Sequence, residues 1–124
     1  MHGIVITAHG SRSPEVDVTM QFILGLVREQ VTEIPIQLGY LGCGTPTIEQ
    51  AMEMLQTEGT EKITIIPYFL FQGIHVKETL PEIAAQFQNT HPEVHVEVGK
   101  SLGEDPRLAA VLAQRIQDVL TIEK

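Results

Sequence analysis

The stretch Ile63–Glu78 reads ITIIPYFLFQGIHVKE and organises the reading of the whole 124-residue chain. Its first four residues, Ile63-Thr64-Ile65-Ile66, form a short apolar, β-branched run bounded by Pro67. Such a run suits a strand buried on both faces, as in a parallel sheet. The aromatics Tyr68, Phe69 and Phe71, a glycine, Gly73, and then His75 and Lys77 follow. A buried strand running into a loop that carries a His and a Lys predicts the floor and rim of a site. In open parallel sheets, ligands lie just beyond the carboxyl ends of the strands.

The pattern repeats on either side. Ile4–Thr7 reads as a first strand, and Ser13-Pro14 as a hydroxyl cap with proline at the first helical position. Val16, Met20, Ile23, Val27 and Val31 then recur at steps of three and four, the period of an amphipathic helix. Ile36–Leu41 gives a second strand, and Thr45-Pro46 opens a second helix carrying Ile48, Ala51, Met52 and Leu55 and closing near Gly59. After the third strand, a helix is expected from about Val76 to Asn89, with Leu80, Ile83, Ala84 and Phe87 inward and Pro81 in its first turn.

Val94, Val96 and Val98 alternate with His95 and Glu97, which predicts an edge strand with one solvated face. Asp105-Pro106 starts a last helix whose apolar stripe is Leu108, Val111, Leu112, Val119 and Leu120. Four βα units in succession, with no linker or low-complexity segment, predict one domain over residues 1–124. Its fold class is α/β, a three-layer sandwich around a four-stranded parallel sheet with right-handed crossovers and a flavodoxin-like strand arrangement.

Composition narrows the function. Sixteen acidic side chains against eight basic ones give a net charge of −8, which argues against a nucleic-acid surface. A few local cations can still dominate a cleft, and Arg12 and Lys77 are candidates for that role. No apolar run approaches the ~20 residues of a membrane helix. The single cysteine, Cys43, excludes an internal disulfide and a CxxC motif. The N-terminal MHGIVITAHG lacks a positive leader region, so a cytoplasmic location is expected.

The first and third strands are expected side by side at the centre of the sheet. His9 and His75 both follow their carboxyl ends, so the topology brings them to one rim. Two imidazoles converging on one cleft hold a first-row divalent ion or move protons near neutral pH, because imidazole titrates near ~6.5. Taken singly, each His has an ordinary structural reading, since neither stands in a metal-ligand spacing such as HExxH. The turn with Gly10 and Ser11 reads either as an anion cradle at a helix N-terminus or as a plain connection. Phe69, Leu70 and Phe71 read as core or as a floor for a flat ligand. Cys43 reads as a loop residue, and His91 and His95 as surface positions.

Three segments together carry a family resemblance: IVITAHGSR at 4–12, IIPYFLFQGIHVKETLPE at 65–82 and LGEDPRL at 102–108. In this order, over nearly the whole chain, they resemble the small-form sirohydrochlorin chelatases of the CbiX type. The resemblance implies a chelatase-like fold and an ATP-independent lyase of porphyrin-type biosynthesis. Such an enzyme inserts a divalent metal into a tetrapyrrole for cobalamin, sirohaem or the nickel coenzyme of methanogens. Co²⁺ is the first expectation, Ni²⁺ and Fe²⁺ the alternatives, each as substrate and with no organic cofactor. His9 and His75 are then the catalytic and metal-handling pair, and the short form is a homodimer mimicking the two halves of longer chelatases.

Ser11, Arg12, Phe69, Leu70, Phe71, Gln72, Gly73 and Lys77 are the expected tetrapyrrole contacts. Charge alone assigns Ser11, Arg12 and Lys77 to the peripheral carboxylates. One departure stands out. The family pattern FLE-x-x-x-PS falls on Tyr40–Thr47, where Gly42 replaces the carboxylate. Cys43 and Glu78 are possible substitutes. The rival readings are a non-catalytic tetrapyrrole- or metal-binding paralogue, and phosphoryl chemistry of the RHG type. Ala8, where that motif needs arginine, disfavours the second.

Overall fold

The computed structural model describes residues 1–123. In chain order it contains β1 (His2–His9), α1 (Pro14–Gln30), β2 (Ile36–Leu41), α2 (Ile48–Thr57), β3 (Lys62–Pro67), a π-helical turn (His75–Thr79), α3 (Leu80–Thr90), β4 (His95–Val98) and α4 (Pro106–Glu123). The four strands form one parallel sheet in the order β2-β1-β3-β4. The sequence-based α/β expectation therefore holds, with the first and third strands central and the alternating strand at one edge.

Local chemistry accounts for the helix starts. The Ser13 hydroxyl accepts from the Glu15 N–H, and Pro14 occupies the first turn of α1. Thr47 and Gln50 form a reciprocal capping box at α2, each side chain bonding the other's backbone N–H. Asp105 accepts from the Arg107 N–H at 2.8 Å and from its guanidinium, fixing the start of α4. Those bonds hold the Asp105 carboxyl well below the usual carboxylate range.

Side chains alternate between the two faces of the sheet. Val5, Ile63 and Ile65 point one way, into a core closed by Ile48, Met52 and Leu55 of α2 and Leu80, Ala84 and Phe87 of α3. Ile6, Ala8, Ile36 and Leu38 point the other way, onto Met20 and Leu24 of α1. The second face is only half covered. α1 lies over the β2–β1 side, while α4, expected to pack its stripe on the sheet, is exposed from Ala109 to Thr121. Val31, read as the last residue of the α1 stripe, is also exposed and lies just past the helix end.

The staggered strand ends build the rim. β1 pairs with β2 as far as His9 opposite Leu41, but β3 ends at Pro67 opposite Thr7. One further bond, from the Tyr68 N–H to the Thr7 carbonyl at 2.7 Å, closes that ladder before the chain turns. His9 is thus the last residue of β1 rather than a residue of the following loop, and it stands proud of its neighbour strand.

Thr7 itself is fully buried, and its hydroxyl finds no partner among the described residues. A desolvated, unbonded hydroxyl costs ~1–3 kcal/mol, and valine has nearly the same shape. Thr7→Val is therefore expected to stabilise the chain by about 1 kcal/mol, raising Tm by about 4 °C in calorimetry. A lowered Tm would show that the hydroxyl is bonded after all.

Candidate metal and tetrapyrrole site

The rim at the carboxyl ends of β1 and β3 gathers His9, Phe69 and His75. His9 ends β1, and Phe69, two residues past β3, folds back onto it. Their rings stack at 4.9 Å between centroids, inclined by 24°. His75 opens the π-helical turn and meets His9 edge-on, again with centroids 4.9 Å apart, at 76°. Both imidazoles are exposed, so solvent and ligand reach them. His75 Nδ1 lies 3.3 Å from Thr79 Oγ1, which leaves Nε2 turned to other partners.

The spacing suits one shared ion. An imidazole nitrogen binds a first-row divalent metal at roughly 2.0–2.1 Å, which puts each ring centre about 3 Å from the ion. Two rings on one ion can then be up to about 6 Å apart between centres, and the observed 4.9 Å lies inside that limit. Among the described residues, no third His, Cys, Asp or Glu completes a ligand cluster. A metal held by two such imidazoles would keep several coordination positions open to other groups.

One hollow is lined by His9 and a second by the turn that follows it. The first, of about 470 Å³, lies between His9, Phe69 and Tyr68 on one side and Glu15, Val16 and Thr19 of α1 on the other. Glu15 is a residue that reading the sequence missed. It looks like an ordinary first-turn acid, and only the position of α1 beside β1 brings it to the hollow. The second hollow, about 240 Å³, is lined by Ser11, Arg12, Asp17 and Tyr40. There the Tyr40 hydroxyl donates to Asp17, and burial, followed by that bond and the Asp17 charge, pushes its pKa up.

The remaining candidates fall elsewhere. Leu70, Phe71 and Gln72 line a different hollow, with Lys100–Asp105 and without His9. Gly73 and Lys77 are exposed, and the Lys77 N–H bonds the Gly73 carbonyl at 3.1 Å at the head of the π-helical turn. Cys43 is exposed in the loop after β2. That loop crosses Gly10 so closely that a Cβ there would fall 1.3 Å from the Cys43 carbonyl oxygen. Gly42 has φ +85°, a backbone state that a glutamate adopts at a cost of ~1–2 kcal/mol. The missing carboxylate thus goes with a loop shaped for glycine. His91, read as a surface residue, is half-buried against Phe87, with ring centroids 4.0 Å apart.

The CbiX family profile matches residues 3–119. The chain belongs to the CbiX family. Among its relatives, the sirohydrochlorin ferrochelatase of Priestia megaterium is 32% identical over 120 residues, covering 95% of this chain and 44% of that protein. The sirohydrochlorin cobaltochelatase of Methanothermobacter thermautotrophicus is 27% identical, covering 95% of this chain and 92% of that one. This CbiX-family chain therefore spans less than half of the first relative and nearly all of the second. The sirohydrochlorin chelatase SirB of Bacillus subtilis subspecies spizizenii, solved in complex with cobalt, superposes with a TM-score of 0.88 at 24% identity. That match covers 95% of this chain and 50% of that one, and shows the shared fold.

Proposed function

We propose that this chain is a sirohydrochlorin chelatase, an ATP-independent lyase that inserts a divalent metal into the metal-free tetrapyrrole. The observation that carries the reading is the meeting of His9 and His75 over one open rim, at a spacing one ion can bridge, in a CbiX-family chain. Relatives named for cobalt and for iron keep Co²⁺ first, with Fe²⁺ and Ni²⁺ as alternatives.

Insertion removes two pyrrolic protons, strips water from the ion and exposes nitrogen lone pairs. Neutral imidazole binds Co²⁺, Ni²⁺ and Fe²⁺ without irreversible capture, and it accepts protons near neutral pH. His9 and His75 hold the ion and take the protons. Phe69 fixes the His9 ring by stacking and offers the macrocycle an apolar face. Glu15, opening onto the same hollow, supplies the negative charge that Gly42 does not. Ser11 and Arg12, in the adjoining hollow, meet peripheral carboxylates of the substrate, with Lys77 at the outer rim.

A tetrapyrrole with many carboxylates outgrows a hollow of about 470 Å³. A homodimer supplies the second wall, and the half-length match to longer relatives supports that arrangement. The charge balance leaves nucleic acid out of the partner set. Cytoplasmic operation agrees with a chain in which no described helix is long and apolar enough to cross a membrane.

The test is visible absorbance of sirohydrochlorin mixed with Co²⁺, Ni²⁺ or Fe²⁺, with and without the protein. The expected result is insertion at least tenfold faster with protein for one or more metals, fastest for Co²⁺. Tight binding of metal or tetrapyrrole with no acceleration would sink the enzyme reading in favour of a binding paralogue.

A further inference from the structure

We propose that the Tyr40 hydroxyl is a positioning group for Arg12: by holding the Asp17 carboxylate, it keeps that acid from pairing with the guanidinium and leaves Arg12 free for a carboxylate arm of the substrate. This rests on the reading above in which Arg12 meets such an arm, and it gives a task to two residues, Tyr40 and Asp17, that lie outside the metal rim.

The hollow of about 240 Å³ beside the turn after β1 presents opposite charges, Arg12 and Asp17, with Tyr40 of β2 in the same lining. Opposite charges in so small a space ordinarily meet, because the guanidinium fork matches a carboxylate. Here they do not. Among the described residues neither Arg12 nor Asp17 enters an ion pair. Asp17 is engaged by another group: the Tyr40 hydroxyl donates to its Oδ1 at 2.5 Å, a length typical of a charge-assisted O–H bond to a carboxylate.

The latch is fixed from β2. Tyr40 is only 5% exposed and stands opposite Ala8 of β1 in the strand register. Its N–H donates to the Pro46 carbonyl at 2.8 Å. A residue held by strand pairing and by the following loop presents its hydroxyl at one place, 23 residues along the chain from the acid it binds. Asp17 is exposed in the first turn of α1, and without that bond its side chain would be free to turn towards Arg12.

The backbone of the same turn is already engaged. The Ser13 N–H donates to Ser11 Oγ at 3.0 Å, and the Glu15 N–H to Ser13 Oγ at 3.3 Å. Two amides at the head of α1 are thus occupied within the turn, which leaves the guanidinium as the main attraction for an anion in the hollow. An exposed Arg–Asp pair shifts an equilibrium by up to about fivefold. A released Asp17 would compete for Arg12 by that factor, and its charge would also repel the arriving arm.

Sirohydrochlorin binding without metal, followed by the tetrapyrrole's own fluorescence, and initial insertion rates test the latch. Tyr40→Phe is expected to raise Kd and KM about three- to fivefold, with kcat within about twofold. Arg12→Ala should raise them at least as far, and Asp17→Asn alone should leave them within about twofold, since no charge is then left to release. Asp17→Glu keeps the buried ring but lengthens the acid by one methylene, which breaks its register with the hydroxyl, and it should raise Kd as Tyr40→Phe does. Two double variants decide. Tyr40→Phe with Asp17→Asn is expected to return to the wild-type Kd, because no carboxylate remains to capture Arg12. Tyr40→Phe added to Arg12→Ala is expected to weaken binding no further. A Tyr40→Phe defect that Asp17→Asn does not relieve, or that persists in full without Arg12, would make Tyr40 a packing residue and overturn the proposal. Wild-type binding in Tyr40→Phe, or in Asp17→Glu should the first variant not fold, also overturns it. Unchanged binding in Arg12→Ala overturns the Arg12 contact and the latch together, whereas the insertion assay on the wild type judges the chelatase reading by itself.

Discussion

Replacing His75 with alanine is expected to lower cobalt insertion at least hundredfold, while Tm moves by less than about 2 °C. The two readouts separate because His75 is bound to little else. Its ring is exposed, touches His9 edge-on and reaches only Thr79 Oγ1 at 3.3 Å. Surface substitutions away from caps and cores usually shift stability by no more than ~0.5 kcal/mol. Loss of an acid–base group typically costs ~10²–10⁴ in rate, and on the proposed mechanism the ion also loses one of two ligands. Initial rates from visible absorbance and a calorimetric scan on the same preparation decide the matter. A variant that inserts metal at the wild-type rate would remove His75 from the mechanism. A variant that unfolds early would make its role structural.

Gly10→Val should be damaging in both readouts. A Cβ at residue 10 would fall 1.3 Å from the Cys43 carbonyl oxygen, nearer than any non-bonded pair can stand. The Gly10 N–H also bonds the Leu41 carbonyl at 3.0 Å, so the two loops cannot part without losing a ladder bond. Overpacking of this kind costs ~1–3 kcal/mol and occasionally more. A loss near 3 kcal/mol lowers Tm by roughly 10 °C. His9 is adjacent, and a displacement of ~1 Å at a reacting group can cost 10²-fold in rate. Thermal unfolding and insertion rates should therefore fall together, and a variant with both unchanged would mean that the two loops move freely.

Much of the architecture is legible in residue order because β1, β3 and β4 are short runs rich in β-branched residues and three of the four helices lie at or just after a hydroxyl or acid followed by proline. Ser13-Pro14, Thr45-Pro46 and Asp105-Pro106 mark three starts, although Pro46 itself precedes the Thr47 cap of α2. The approach of His9 to His75 follows from strand order rather than spacing, and a four-strand parallel topology is enough to foresee it. Other features depend on directions that a pattern does not carry. Leu70 and Phe71 look like a continuous floor with Phe69, yet the backbone turns after Phe69 and sends them to another hollow. Glu15 is one of many acids until α1 is laid beside β1. The stripe of α4 reads the same whether its own sheet or another chain is to cover it, because periodicity records that a face is apolar and not what it meets.

The wide turn at His75–Thr79 bears on how the site is aimed. There the Leu80 N–H reaches back five residues to the His75 carbonyl, where an ordinary helix would reach back four. Removing any one of Val76, Lys77, Glu78 or Thr79 would restore regular winding into α3 and swing the imidazole by roughly 100° about the axis, a helix's advance per residue. The bearing of that ring is thus held by a count of peptide units, so a chain can keep His75 and still turn it away from His9.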